Sequence, residues 1–254
     1  MKALFAKILH KIAAFCSAAS LPVPDRHASA ETYLAAGLGD HHTCVFGARG
    51  SGKTTLMRTL AKQQRDCTVL IRLCGEPIPG WAEVPFFGEF APADGSPSYG
   101  LELEDLLVHR PLGVLEICLP ADGGDLAVLA AKTALDSLLR AIFGYAGSRS
   151  LNLMVDDADR LLAHDMVCQL LRQARYARCA LVLSQESFLI TETSDFDNCV
   201  HVIALRQHHL FAGVSLATRM GVDIKKLSSL PAGHFWYRNC RARAPVKLRF
   251  SAFC

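Results

Sequence analysis

Residues 47–54 read Gly-Ala-Arg-Gly-Ser-Gly-Lys-Thr and are followed by Thr55. Three glycines in so short a stretch let the backbone turn tightly, so that successive N–H groups point inward as a nest for an anion. Lys53 and Thr54 stand where such a loop passes into a helix, whose N-terminal dipole adds to the attraction. Lys53 is then placed to reach the β- and γ-phosphates of a nucleoside triphosphate, and the Thr54 hydroxyl to coordinate Mg²⁺. The expected contacts to ATP are Gly47, Ala48, Arg49, Gly50, Ser51, Gly52, Lys53, Thr54 and Thr55. The Arg49 side chain itself is expected to face solvent.

A second group is Leu151-Asn152-Leu153-Met154-Val155-Asp156-Asp157. An apolar strand that ends in two carboxylates suits the other half of phosphoryl chemistry. Asp156 would hold the Mg²⁺ shell, and Asp157 would orient or deprotonate the attacking water. The plainer alternative is a solvated turn with an Asp capping a helix. A third candidate is Gln185, directly after the strand-like run Ala180–Ser184. A polar side chain there would lie in the crevice at the carboxyl ends of parallel strands, able to bridge the γ-phosphate or lytic water to the protein. The alternative is a turn residue without a role. Arg172-Gln173-Ala174-Arg175 sits on a helical pattern, where an arginine by itself reads as a solvated side chain. Asp159 and Arg160 read as local surface or subunit contacts.

The elements that must position these residues alternate between strand-like and helical patterns, as in a parallel α/β sheet flanked by helices. Strands are expected at Thr43–Phe46, Thr68–Leu73, Leu112–Leu119, Leu151–Val155, Ala180–Leu183 and Cys199–Leu205. Helices are expected at Lys53–Gln64, Asp125–Phe143 and Asp165–Tyr176. Residues 77–100, rich in Pro, Gly and aromatics, read as an irregular excursion. Short β segments are expected around Arg241–Pro245, within the alternating stretch Phe235–Phe250. With 254 residues, 51% hydrophobic and 20% charged, the chain suits one such domain, residues 31–254, with residues 1–30 as an appendage. In that appendage Leu4, Phe5, Ile8, Leu9, Ile12 and Phe15 share one helical face and Lys2, Lys7, His10 and Lys11 the other, before the Pro22-Val23-Pro24 link. Such a helix packs on its own domain or a neighbouring subunit, or else anchors to a membrane surface or a capsid protein.

The net charge of +3 permits a nucleic-acid partner without arguing for one. The ten cysteines include no CxxC, and Cys44, Cys67, Cys118, Cys179 and Cys199 each lie within two residues of Val, Ile or Leu, the pattern of buried reduced thiols in a cytoplasmic protein. No apolar run approaches the roughly 20 residues of a membrane-spanning helix.

In order and wording these blocks resemble the FtsK–HerA superfamily of DNA-pumping ATPases, which includes conjugative secretion ATPases and compact viral genome-packaging ATPases. Phe46–Leu56 is similar to their nucleotide loop, and Leu73-Cys74-Gly75-Glu76 to the turn after their second strand, although the usual preceding Asp is missing. Val155–Leu162 resembles their DEAHxLL block. Leu170–Tyr176 with Leu183–Ser187 resembles their LLRQxRKYG…TQS passage, and Leu230–Phe235 their LxxGEF turn before a final strand. The resemblance implies a RecA-like P-loop fold with a mainly parallel sheet, ATP and Mg²⁺ as cofactors, double-stranded DNA as partner and a homo-hexameric ring. It also implies Arg175 as a finger reaching a neighbouring subunit's nucleotide and Gln185 as the phosphate sensor. Lys53, Asp157, Gln185 and Arg175 would be catalytic, with Thr54 and Asp156 as metal ligands. A virion or peripheral-membrane location would follow for a packaging motor. One departure stands out: relatives carry Glu where this chain has Asp157, shorter by a methylene or about 1.5 Å of reach, a displacement that slows chemistry unless the backbone moves to compensate. The competing class is an AAA-type regulatory or loader ATPase acting on protein partners.

Overall fold

The computed structural model describes residues 41–64, 68–74, 87–92, 113–120, 139, 151–162, 164–176, 179–186, 199–208, 210–241 and 244–249. The amphipathic helix and linker expected over residues 1–30 lie outside them. So does the helix expected over Asp125–Phe143, apart from Leu139, which is helical and buried.

Strand β1 (His42–Phe46) runs into the glycine-rich loop, and helix α1 (Lys53–Gln63) leaves it. Then come β2 (Thr68–Cys74), β3 (Phe87–Pro92), β4 (Gly113–Pro120), β5 (Leu151–Val155), α2 (Ala158–Leu161), α3 (His164–Tyr176) and β6 (Cys179–Gln185). The chain closes with β7 (Cys199–Ala204), α4 (Leu210–Met220), α5 (Ile224–Ser228), β8 (His234–Asn239) and β9 (Val246–Arg249). The strands form one sheet in the order β3-β4-β2-β5-β6-β1-β7-β8-β9. From β4 to β7 every pairing is parallel; β3, β8 and β9 add antiparallel edges.

The central strands are buried on both faces, which is why they read as continuous apolar runs rather than alternating ones. On β1, Cys44 and Phe46 join Leu153, Leu171 and Leu216 on one side, while Val45 joins Leu56, Met57 and Leu60 of α1 on the other. Asn152 inside β5 is tolerated because its amide donates to Gln64 Oε1 at 3.5 Å and Thr68 Oγ1 at 3.4 Å. Cys44, Cys179 and Cys199 are buried thiols within this core, and burial pushes the Cys179 thiol up to about 12.

One expectation is corrected. The stretch read as irregular, residues 77–100, contains β3, an edge strand. At an edge a proline such as Pro92 sacrifices no ladder bond, so the Pro/Gly composition hid a strand rather than excluding one. The short β segments expected around Arg241–Pro245 are β8 and β9, which flank it: Tyr237 pairs with Val246 and His234 with Arg249, leaving the described part of the intervening stretch as the hairpin connection. Helices α4 and α5 were also not anticipated. Gly221, at φ 68°, ends α4 with the paired bonds Val222 N–H to Ala217 O (3.0 Å) and Gly221 N–H to Thr218 O (3.1 Å), a Schellman closure that only a left-handed residue supports. Gly233, at φ 74°, turns the chain from Pro231 into β8, as the resemblance implied.

Candidate nucleotide-binding site

The chain leaves β1 for strands on one side of it and later returns to β7 on the other. A crevice therefore opens at the carboxyl ends of β6, β1 and β7, the position where parallel sheets take ligands. The phosphate loop spans it. Gly50 and Gly52 adopt φ 73° and 99°, and Gly52 begins α1 without a side-chain cap, leaving the first helical N–H groups for another acceptor. A Cβ on Gly47 would meet Ser51 Oγ at 2.4 Å and Leu205 Cβ at 2.9 Å, so only glycine fits. The Ser51 hydroxyl is buried without a hydrogen-bond partner, a donor kept for something the loop encloses. Arg49 is exposed, as expected, and Thr55 is exposed on the first turn of α1.

Lys53 is buried and its ammonium donates to Gly47 O at 2.8 Å and Ala48 O at 3.4 Å; Asp157 Oδ1 lies 3.9 Å away. Loop carbonyls thus hold a cation that a triphosphate would draw off them.

Asp156 follows the last residue of β5 and is almost fully buried. Thr54 Oγ1 donates to its Oδ2 at 2.6 Å. Its Oδ1 accepts from the Ser184 hydroxyl and from Asp157 N–H at 3.2 Å, and Ser184 Oγ accepts a second bond from that same N–H at 2.9 Å. A carboxylate held on both oxygens has one orientation.

Asp157 begins α2 at φ 50° and ψ 47°, the one left-handed non-glycine among the described residues. Asp accepts that conformation more readily than longer side chains. It stands at the N-cap position of α2, yet its carboxylate makes no capping bond. Burial raises its pKa above the usual carboxylate range, Asp156 adds to this, and Lys53 opposes it.

Gln185 is buried at the end of β6, in register with Phe46, and its carbonyl accepts Gly47 N–H at 3.1 Å. Arg175 lies in the last turn of α3, but its side chain is outside the described residues, as are Gly75 and Glu76. Arg172 and Gln173 are exposed on the same helix.

No family model matches the chain, and no curated protein matches it in sequence. Solved structures do. The genome-packaging NTPase B204 of Sulfolobus turreted icosahedral virus 2, bound to ATPγS, superposes with a TM-score of 0.55 at 13% identity, over 83% of this chain and 98% of that one. The bacterial conjugative coupling protein TrwB gives 0.56 at 12%, over 85% and 86%. The cytoplasmic domain of the type VII secretion ATPase EccC of Thermomonospora curvata gives 0.50 at 18%, over 84% of this chain and 25% of that one. The chain shares the P-loop NTPase fold of these proteins.

Within this P-loop fold, Lys53, Thr54, Asp156, Asp157 and Gln185 come to one edge of the sheet. Sequence reasoning missed Ser184, which orients Asp156, and Gln207, whose Nε2 donates to Glu186 O at 3.0 Å. Ser184 stood beside a residue already singled out, but nothing in a strand-ending serine marks it. Asp159, read as a local contact, accepts Glu186 N–H at 2.9 Å.

Proposed function

We propose that the chain hydrolyses Mg-ATP and uses the reaction to move DNA, as a genome-packaging or DNA-transfer motor built as a ring. The observation that carries the ATPase part is the convergence of Lys53, Thr54, Asp156, Ser184 and Asp157 beneath a loop shaped for phosphate.

The Thr54 hydroxyl and Asp156 carboxylate suit Mg²⁺, which takes hard oxygen ligands and keeps water and phosphate oxygens for the rest of its shell. Among the described residues no cluster of three or more His, Cys, Asp or Glu would hold an ion by itself, in keeping with a metal that arrives with its nucleotide. When bound, Mg²⁺ neutralises charge on the β- and γ-phosphates. The chain's own residues do the rest. Loop N–H groups and Ser51 receive the phosphates, and Lys53 moves from the Gly47 carbonyl to their oxygens. Ser184 keeps Asp156 aimed at Thr54. Asp157, with its basicity raised by burial, orients or deprotonates the attacking water. Gln185 reports the γ-phosphate. The left-handed backbone at Asp157 is where compensation for a shorter carboxylate would act.

DNA as partner draws on the similar proteins: B204 is a genome-packaging NTPase, described for a related virus as a DNA-packaging ATPase, and TrwB is a conjugative coupling protein. The likeness to a secretion ATPase supports a second reading, an ATPase that acts on a protein partner. Among the described residues no helix is long and apolar enough to cross a membrane; the amphipathic sequence of residues 1–30 is what would contact a membrane surface or vertex protein.

In the ring, Arg175 completes the neighbouring site. Arg175→Ala should bind ATP normally and lose hydrolysis by on the order of 10³-fold. Mixing it with Lys53→Ala should restore part of the rate, because some boundaries then pair an intact Lys53 with an intact Arg175. Duplex DNA should stimulate the parent. A monomer indifferent to DNA, with Arg175→Ala fully active, would sink the motor reading and favour the protein partner.

A further inference from the structure

The peptide group joining Gln185 to Glu186 is gripped at both ends. Its carbonyl accepts from Gly47 N–H at 3.1 Å, and its N–H donates to Asp159 Oδ2 at 2.9 Å. The next carbonyl, Glu186 O, accepts from Gln207 Nε2 at 3.0 Å. Gln207 is itself buried, and the residue before it, Arg206, uses its carbonyl to accept Ala48 N–H at 2.9 Å. These bonds close a circuit. It runs from Gly47 to Gln185, along the chain to Glu186, across to Gln207, back to Arg206, and across again to Ala48, which adjoins Gly47. Asp159 ties the circuit to the turn that carries Asp157, two residues earlier.

We infer that Asp159 and Gln207 are positioning residues: they set where the Gln185 side chain stands and transmit displacement at the Asp156–Asp157 turn to it. The inference rests on reading Gln185 as the residue that senses the γ-phosphate. Backbone bonds tie the phosphate loop to the exits of β6 and β7, and Asp157 N–H reaches Ser184 Oγ on β6. The side-chain bonds of Asp159 and Gln207 complete the tie on the far side of Gln185, so that the phosphate loop, the Asp157 turn and Gln185 shift together. Asp159 is exposed and Glu186 lies at the surface, so the Asp159 bond adds little to the core. What it supplies is geometry, and misplacing a reacting group by an ångström costs up to about 10²-fold in rate. Gln207 works from inside, where a neutral amide donor has no water to replace it.

The role is that of an acceptor at Asp159 and a donor at Gln207, which sets the test. Asp159→Ala and Gln207→Met should each lower kcat by about tenfold or more with little change in KM. Asp159→Asn keeps an acceptor oxygen and should recover most of the loss. A second readout needs no turnover: the ratio of ADP to ATPγS dissociation constants, measured with fluorescent nucleotides, should move toward unity in Asp159→Ala and Gln207→Met, because Gln185 no longer distinguishes the two. Parent kcat and an unchanged ratio in both variants would overturn the inference. So would an Asp159→Asn protein as impaired as Asp159→Ala, since charge rather than geometry would then be at work. Failure of the underlying reading shows separately: Gln185→Ala would leave both kcat and the ratio at parent values.

Discussion

Two buried polar clusters lie at opposite ends of β5, roughly 13 Å apart along the strand. At its start, Asn152 donates to Gln64 and Thr68, and Gln64 Nε2 donates to Leu60 O at 3.3 Å. All these members are neutral. At its end, Asp156 and Asp157 stand beside Lys53, with a left-handed backbone, a carboxyl of raised pKa and a buried Ser51 hydroxyl that has no partner. The first cluster meets the demand that buried polar groups be paired, whereas the second leaves charge and donor capacity uncommitted. Unspent capacity, rather than buried polarity, distinguishes a reactive site from a structural one.

The largest effect expected from breaking this contrast is at Lys53. Lys53→Ala should remove ATP binding and take turnover to background, with the apo melting temperature little changed. Equilibrium binding of a fluorescent ATP analogue checks it, and parent affinity in the variant would mean the cation belongs to the structural kind.

Asp157 gives the next effect and sharpens the contrast. Asp157→Asn should bind ATP as the parent does but turn over about 10²-fold more slowly, trapping the nucleotide. The raised pKa also fixes a sign. A carboxyl that holds its proton more tightly when folded lets stability fall as pH rises through the window between its unfolded and folded values. At neutral pH the charged Asp157 therefore subtracts from apo stability. Asn removes the charge and tolerates the same left-handed backbone, so the melting temperature should hold or rise while activity collapses. A lowered melting temperature would show attraction to Lys53 outweighing burial. In the parent, the acid limb of kcat should lie above the range of a solvated aspartate.

The smallest effect on chemistry is expected at Asn152. Asn152→Leu strips the donor from Gln64 and Thr68 and should cost about 1–3 kcal/mol of stability, read by denaturant unfolding. Its kcat should match the parent's. A tenfold loss of turnover would mean the two ends of β5 are coupled and the contrast drawn here is false.

How far the chain alone disclosed this site follows from the range of its interactions. The phosphate loop was fully legible, because its nest, its lysine and its hydroxyl are consecutive residues and their arrangement needs only a strand before and a helix after. The carboxylate pair was nearly so, since apolar β5 announces where it ends. Gln185 was found through its place after an apolar run, and the central strands by their continuous hydrophobicity. What the tertiary structure alone decided is who holds these groups. Ser184 meets Asp156 across 28 residues, Asp159 meets Glu186 across 27, and Gln207 meets Glu186 across 21. That Asp157, at the head of a helix, has its carboxylate near Lys53 and makes no capping bond was likewise decided by the fold. A serine, an aspartate or a glutamine has the same local propensities with or without such a partner. Their roles are set by which strand exits the sheet order brings side by side, and strand order is a property of the packed fold rather than of any stretch of the chain.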